Sequence, residues 1–257
     1  MITIKSEAQI ELMRRAGKIL YEVENELRNA IKPGVNTLML DRMAEEMIRD
    51  HGAIPSFKGY NGFPSTICAS VDDQVVHGFP DKKPLKEGQV LSVDCGLILD
   101  GWQSDSAFTR IVGEGTPEAQ KLIDVTEMCF WLAANQAREG NRVGDISHAV
   151  QQYAEKHGYG VIRDLSGHGI GREMHEDPSV PNFGPAGRGV KLRAGMTLAI
   201  EPMIAMGGWP VYCEDNDWTI TTRDHSICAH YEHTILITKG EPEILSYPGK
   251  TVAEVLG

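Results

Sequence analysis

Two short segments of this chain repeat one another, and each ends in a carboxylate. Residues 85–94 read LKEGQVLSVD and residues 192–201 read LRAGMTLAIE, so each has a turn-type glycine, an apolar run and then Asp94 or Glu201. A carboxylate at the end of a buried strand is costly unless another group pairs with it. Because the two strands are related by repetition, we expect their acids to meet at one interior site, where a metal ion is the usual partner.

Two further acids stand beside predicted strands. Asp105 follows Asp94 across an Asp-Gly turn signal at 100–101, which predicts a hairpin whose arms bring both acids face to face. Glu232 stands just ahead of the apolar run at 234–237. The alternatives are two surface aspartates in a loop for the first pair, and a buried salt bridge for Glu232.

Three histidines could act beside these acids. His168 and His175 lie in LSGHGIGREMHEDPSV, where the glycines permit unusual backbone angles and leave room for a substrate backbone. Either imidazole could bind a metal or transfer a proton. His77, in VVHGFPD, has an equal claim to be a packed core or turn histidine.

The candidate ligands, taken together, indicate more than one ion. Four carboxylates and one imidazole carry too much negative charge for one divalent ion, and they suit two ions bridged by shared carboxylates, as in dinuclear hydrolases. The set has no sulfur, which favours manganese, iron or cobalt over a structural zinc site. The predicted ligands are Asp94, Asp105, His168, Glu201 and Glu232.

The elements that must position these residues follow from hydrophobic period and turn residues. A capping box at Ser6 and Gln9 opens a first helix that ends before Pro33. Further helices are predicted at 37–51 and 116–138, and the segment 139–158 repeats 33–52 without a gap. Strands are predicted at 66–71, 89–99, 106–112, 161–166, 196–205, 218–221 and 229–237.

This order of elements predicts an α+β fold. Two related halves, roughly 33–112 and 139–237, would build a central sheet with helices on one face. Because no linker or low-complexity segment interrupts the chain, we expect residues 1–257 to form a single domain.

Composition narrows the classes of function. The net charge of −11 argues against non-specific binding to nucleic acid or to an anionic membrane. No apolar run is long enough for a membrane span, and the first residues lack the apolar core of a signal peptide. Five cysteines without CxxC spacing indicate reduced thiols in a cytoplasmic protein.

Five motifs in order carry a family resemblance. VDCGLILDGWQSDSAFT, SGHGIG, MHEDPSV, AIEPM and YEHTILIT together resemble the type I methionine aminopeptidases, from the first helix to about residue 238. The resemblance implies the pita-bread fold, in which two pseudo-symmetric halves surround a mostly antiparallel sheet. It also implies removal of the N-terminal methionine from nascent proteins and peptides when the second residue is small.

The resemblance assigns a role to each predicted ligand. It implies that Asp94 chelates one metal, that Asp105 and Glu232 bridge both metals, and that His168 and Glu201 complete the other. A hydroxide between the metals would then attack the scissile carbonyl, with Glu201 as general base.

The remaining site residues are also assigned by resemblance. His175 would contact the substrate carbonyl oxygen, and His77 would lie over the leaving nitrogen or the neighbouring amide. An apolar, sulfur-bearing pocket would hold the methionine thioether. Its implied lining is Tyr60, Phe63, Cys68, Met174 and Trp218.

The resemblance also implies cofactors and partners. We expect two divalent ions (cobalt, manganese, iron or zinc) and, as in some members, a monovalent cation held by backbone oxygens near Asp72 and Cys228. The expected substrates are nascent chains, with transient ribosome contact and a monomeric state. The chain departs from the family at Met174, where Phe is common, and at His230, where Gln is common.

Three other functions are alternatives for a chain with these motifs. A proline-specific aminopeptidase or prolidase would share the metal site, but such enzymes usually carry a long N-terminal domain. A non-catalytic binding protein on this fold would have lost ligands that this chain keeps. A serine hydrolase would need a GxSxG elbow, which the sequence lacks.

Overall fold

The protein is described by a computed structural model, which covers residues 2–257. Its helices are α1 (Glu7–Ala30), α2 (Thr37–Asp50), α3 (Pro117–Gln136), α4 (Val143–Lys156) and α5 (Val252–Leu256), and a 3-10 turn spans Tyr60–Gly62. Its strands are β1 (Ile54–Pro55), β2 (Ile67–Val71), β3 (Gln74–Val76), β4 (Val90–Leu99), β5 (Trp102–Ile111), β6 (Gly160–Val161), β7 (Ser166–Gly169), β8 (Glu176–Pro181), β9 (Thr197–Ile200), β10 (Met203–Ala205), β11 (Val211–Cys213), β12 (Ile220–Thr222), β13 (Cys228–His230), β14 (Glu232–Leu236) and β15 (Glu243–Ile244).

The long helices follow the sequence signals closely. The predicted capping box of α1 is present, with the Ser6 N–H donating to the side-chain oxygen of Gln9 at 2.9 Å. Thr116 caps α3 by accepting from the Ala119 N–H, and Pro117 takes the first position, where its missing N–H costs nothing. The four predicted helices are therefore confirmed to within a few residues at their ends.

The central sheet is antiparallel and places its strands in the order β1-β4-β5-β14-β9-β7-β8, with β2 also pairing with β4 and β15 with β14. Strands from both halves of the sequence thus meet where β5 pairs with β14.

Side-chain alternation assigns the two faces of this sheet different roles. On β4, Leu91, Val93 and Leu97 pack with α1 and α2 in one apolar cluster. On β9, Leu198 and Ile200 pack with α3 and α4 in another. Because successive strand residues point to opposite faces, the residues between these leave the opposite face of the sheet for other uses. The predicted α+β fold with helices on one face is confirmed.

Two predicted strands are interrupted at the same level of the sheet. The segment 196–205 divides into β9 and β10 around Glu201 and Pro202, and 229–237 divides into β13 and β14 at Tyr231. Pairing resumes on both sides, with His233 opposite Ile200 and Met203 opposite His230. Proline has no N–H for a ladder, which accounts for the break beside it.

Other strand predictions need correction. The strand predicted at 161–166 is wrong, because 162–165 connects two short strands, β6 and β7. The second hairpin arm begins at Trp102 rather than at 106. The strand predicted at 89–99 is confirmed, because β4 passes through Asp94 and continues to Leu99 before the hairpin turn. No helix within residues 2–257 is long and apolar enough to cross a membrane.

Candidate metal centre and active site

A row of cross-strand partners sets the base of the site. Cys68 on β2 lies opposite Asp94 on β4, Asp94 lies opposite Ala107 on β5, and Ala107 lies opposite Glu232 on β14. Directly opposed residues of antiparallel strands point to the same face, so both acids share the face that the helices leave free. Ala107 leaves space between them.

Asp105 joins this face because it lies two residues before Ala107 on β5. Its partner on β4 is Gly96 rather than Asp94, so the two acids of the hairpin are diagonal neighbours and not directly opposed as predicted. The backbone of Asp105 is fixed by Thr234, whose hydroxyl accepts from its N–H at 3.0 Å and donates to its carbonyl at 2.9 Å.

The sheet interruption brings Glu201 to the same place. Glu201 directly follows β9, and its carbonyl accepts from the side-chain amide of Asn182 at 2.9 Å. His168 lies opposite Ala199 on the neighbouring strand β7. The Nε2 atom of His168 is 3.8 Å from Oε1 of Glu201 and 3.8 Å from Oδ2 of Asp105. All five predicted ligands are therefore brought together.

His168 is prepared to act as a ligand. Its Nδ1 lies 2.8 Å from the carbonyl oxygen of Gly169, where Nδ1 donates. This tautomer leaves a lone pair on Nε2, which faces the acids. Burial, followed by the influence of His175, lowers the pKa of His168 to about 4, which keeps the imidazole neutral.

Burial and mutual repulsion make the acids of the site difficult to ionise unless a cation is close by. Burial raises the pKa of Asp94 well above its usual range, and the charges of Asp105 and Glu201 raise it further. Burial raises the pKa of Asp105 to about 7 and those of Glu201 and Glu232 well above normal. Such groups stay charged at neutral pH only if positive charge is close.

Unpartnered polar atoms in the site fit metal ions. Among residues 2–257, Oδ1 of Asp94 and Oε1 of Glu232 are buried without a hydrogen-bond partner. The side chains fall into two groups with metal-ligand spacing, one of Asp94, His230 and Glu232 and the other of Asp105, His168 and Glu232. Each group has one histidine, and Glu232 belongs to both.

The acids open into a cavity of about 270 Å³ that extends away from the sheet. In its apolar part the rings of Phe63 and Trp218 are in contact at a centroid separation of 5.1 Å, and Phe79 packs against Phe63 from outside the lining at 5.4 Å. The lining includes all five predicted ligands and every residue predicted to bind substrate: Tyr60, Phe63, Cys68, His77, Met174, His175 and Trp218.

The two auxiliary histidines lie above the acids. The ring centroids of His175 and His168 are 4.3 Å apart, and Nδ1 of His175 lies 2.8 Å from the hydroxyl oxygen of Tyr60. His77 packs edge-on against Trp218 at 6.3 Å and has a positive φ of 59°. Burial lowers the pKa of both histidines, so both are neutral at pH 7.

Sequence reasoning left some site residues out. Phe57 and Asn61 also line the cavity, but nothing in their sequence context signals this. From the sequence, His230 is a departure from the family pattern that places a possible extra proton acceptor beside Glu232, and it is not predicted as a metal ligand. The monovalent cation near Asp72 and Cys228 stays a prediction; there, the Cys228 N–H donates to the Asp72 carbonyl at 3.0 Å.

Comparisons with known proteins agree with this geometry. The model of metallopeptidase family M24 matches residues 11–239. A protein from Clostridium acetobutylicum named methionine aminopeptidase is 55% identical over 96% of this chain and 99% of its own length. The crystal structure of methionine aminopeptidase from Rickettsia prowazekii superposes with a TM-score of 0.95 at 41% identity, covering 96% of this chain and all of that one. A prolidase from Pyrococcus horikoshii, at 22% identity and a TM-score of 0.77, shares the fold over 63% of its length.

Proposed function

The chain belongs to metallopeptidase family M24, and from that premise we propose that it removes the N-terminal methionine of peptides and nascent proteins. The convergence of five metal-ligand side chains at one end of an apolar cavity supports this proposal most directly. The prolidase-like alternative is less supported, because those relatives share only about a fifth of their residues with this chain.

The metal ligands divide between two ions. Asp94 would hold one ion, Glu201 and His168 would hold the other, and Asp105 and Glu232 would supply carboxylates to both. Cobalt, manganese, iron and zinc all accept such a set of oxygen and nitrogen ligands. Divalent ions in this position lower the pKa of a water molecule and polarise the scissile carbonyl.

Three side chains transfer protons or stabilise the charge that develops on the substrate. Glu201 is the general base, because its carboxylate lines the cavity beside the proposed metal ligand His168, whose Nε2 lies 3.8 Å from Oε1 of Glu201. In the tautomer that we propose for His175, Nδ1 accepts from the Tyr60 hydroxyl 2.8 Å away, and Nε2 carries the proton that is donated to the substrate carbonyl oxygen. His77, neutral and buried against Trp218, lies over the leaving nitrogen.

The cavity selects the substrate. Its apolar wall of Phe63, Trp218, Met174 and Cys68 suits an unbranched thioether, which adapts to irregular pockets. The free α-amino group of the substrate lies at the metal centre, because the acids there form the negative end of the cavity. Cleavage therefore falls one residue from the N-terminus.

The remaining assignments follow the family. Residues 1–257 form a single catalytic domain built from related halves at 33–112 and 139–237. The protein acts in the cytoplasm as a monomer and meets nascent chains at the ribosome. It binds no specific nucleic acid and no membrane.

A peptide panel tests the proposed function. Peptides beginning Met-Ala or Met-Gly should lose methionine rapidly, whereas those beginning Met-Leu or Met-Lys should release little. Peptides beginning Xaa-Pro should be untouched. A Xaa-Pro peptide that is cleaved faster than Met-Ala would replace the proposal with the prolidase-like alternative.

A further inference from the structure

His230 is the second histidine beside the acid cluster, and it lies close to Glu201 and Glu232. It ends β13, one residue before the sheet interruption that also places these two acids. Its Nε2 atom lies 3.7 Å from Oε2 of Glu201 and 3.6 Å from Oε2 of Glu232. The side chain is 1% exposed, and Nε2 has no hydrogen-bond partner among residues 2–257.

The 3.6 Å separation of Nε2 from Oε2 of Glu232 matches two ligands of one ion better than a hydrogen bond. A direct N–H···O bond would bring the atoms to about 2.7–3.2 Å. An ion that binds imidazole nitrogen and carboxylate oxygen at about 2.0–2.2 Å holds neighbouring ligand atoms roughly 3–4 Å apart. A buried ring nitrogen left without any partner is destabilising, so the unpaired Nε2 needs an explanation.

The grouping of ligand atoms supplies the explanation. Nε2 of His230 lies with carboxylate oxygens of Asp94 and Glu232, all within 4.8 Å of one another. This is the half of the site opposite His168, whose Nε2 belongs with Asp105 and Glu232. In the roles given above, the ion at Asp94 is bound by carboxylates alone. His230 is the nitrogen donor on that side.

We propose that His230 is a sixth metal ligand, which binds the ion at Asp94 through Nε2 and gives each of the two ions one imidazole. This assignment rests on the two-ion site of the proposed function. Imidazole raises affinity for cobalt, iron and zinc more than for manganese or magnesium, which prefer oxygen. The metal site at Asp94 should therefore favour cobalt, iron and zinc over manganese more strongly than an all-carboxylate site would.

Cadmium NMR measures the ligation directly in the intact protein. Protein labelled with ¹⁵N-histidine is stripped of metal and loaded with two equivalents of ¹¹³Cd. One-bond ¹⁵N–¹¹³Cd couplings should appear at two imidazoles that bind different cadmium nuclei. In His230→Gln, one of these couplings should disappear and the other should remain.

Calorimetric titration of the metal-free protein with cobalt gives the energetic consequence. The dissociation constant of the Asp94-side ion should rise roughly tenfold or more in His230→Gln and in His230→Ala, while that of the His168-side ion changes less than about threefold. The same substitutions should weaken manganese binding less than cobalt binding. His157→Gln, at the far end of α4, is the matched control and should change neither constant.

The outcomes separate this assignment from the function on which it rests. Two bound cadmium ions with coupling to a single imidazole would overturn the role of His230 and leave the two-ion site intact. Binding of one ion would overturn both. The first measurement uses the unsubstituted chain, so the result does not depend on whether a variant folds.

Discussion

The Nε2 atom of His168 lies 3.8 Å from Oε1 of Glu201, and the other ring nitrogen of His168 already donates to the Gly169 carbonyl. The backbone therefore fixes the tautomer of His168 and directs its lone pair at the acid cluster. The two residues come from neighbouring strands, β7 and β9, which pair across His168 and Ala199. Strand pairing, rather than any local motif, thus brings together this half of the proposed metal site.

Loss of a bridging carboxylate should remove metal and activity together. Asp105→Asn and Glu232→Gln keep the shape of the side chain but remove a charged ligand shared by two ions. We expect peptidase activity to fall roughly a thousandfold or more and metal content to fall with it, measured by elemental analysis. Asp100→Asn, in the exposed hairpin turn, is the control and should retain both. Substantial activity in either bridging variant would contradict the ligand assignment.

Asp105 should also make the stability of the metal-free protein depend on pH. Burial raises the pKa of Asp105 to about 7 from about 3.9 in an unfolded chain. The folded protein therefore holds this proton more tightly, and that contribution to stability is present below pH 4 and is lost as pH rises through 7.

Asp105→Asn should consequently stabilise the metal-free protein at pH 8, by on the order of 4 kcal/mol, and much less at pH 4. Urea unfolding of both proteins in the presence of chelator measures the difference. A gain in the free energy of unfolding that is the same at both pH values would show that Asp105 is not a buried ionising group.

His175 should contribute to the rate rather than to metal binding. His175→Ala removes the proposed donor to the substrate carbonyl, and kcat should fall about 10²–10³-fold while two ions still bind. Tyr60→Phe leaves the imidazole but removes the hydrogen bond that fixes its tautomer, so kcat should fall only a few-fold. Loss of metal from His175→Ala would instead make this histidine a ligand.

Met174 should shape the methionine pocket. Met174→Ala removes a buried wall of the cavity, so KM for Met-Ala peptides should rise about tenfold, and N-terminal phenylalanine should become a measurable substrate. The free energy of unfolding should fall by about 2–5 kcal/mol. Met39→Ala, on the exposed face of α2, should change neither property. An unaltered KM would place the thioether elsewhere.

Much of the fold and of the site could be predicted because the relevant signals are local. The helices follow from caps and from apolar period, as the capping box at Ser6 illustrates. The five candidate ligands could be predicted because a buried acid in an apolar strand is rare, and because the order of the motifs linked the four acids and His168 to a family. The repeat of segments 85–94 and 192–201 correctly predicted that Asp94 and Glu201 lie at one site.

The rest depends on the pairing of distant strands. Sequence periodicity did not reveal that β9–β10 and β13–β14 break at one level, because each break is fixed by its partner as well as by Pro202. The diagonal relation of Asp94 and Asp105 depends on the hairpin register. The position of His230 depends on the break of the strand at Tyr231. The presence of a histidine at position 230 therefore could not predict that its side chain lies beside Glu201 and Glu232.

Titration of the metal-free enzyme tests the central claim most directly. Protein stripped by a chelator should be inactive against a Met-Ala peptide. Activity should return as cobalt or manganese is added, with bound metal measured in the same samples and binding saturating at two ions per chain. Full activity in protein shown to contain no metal would contradict a metal-dependent aminopeptidase.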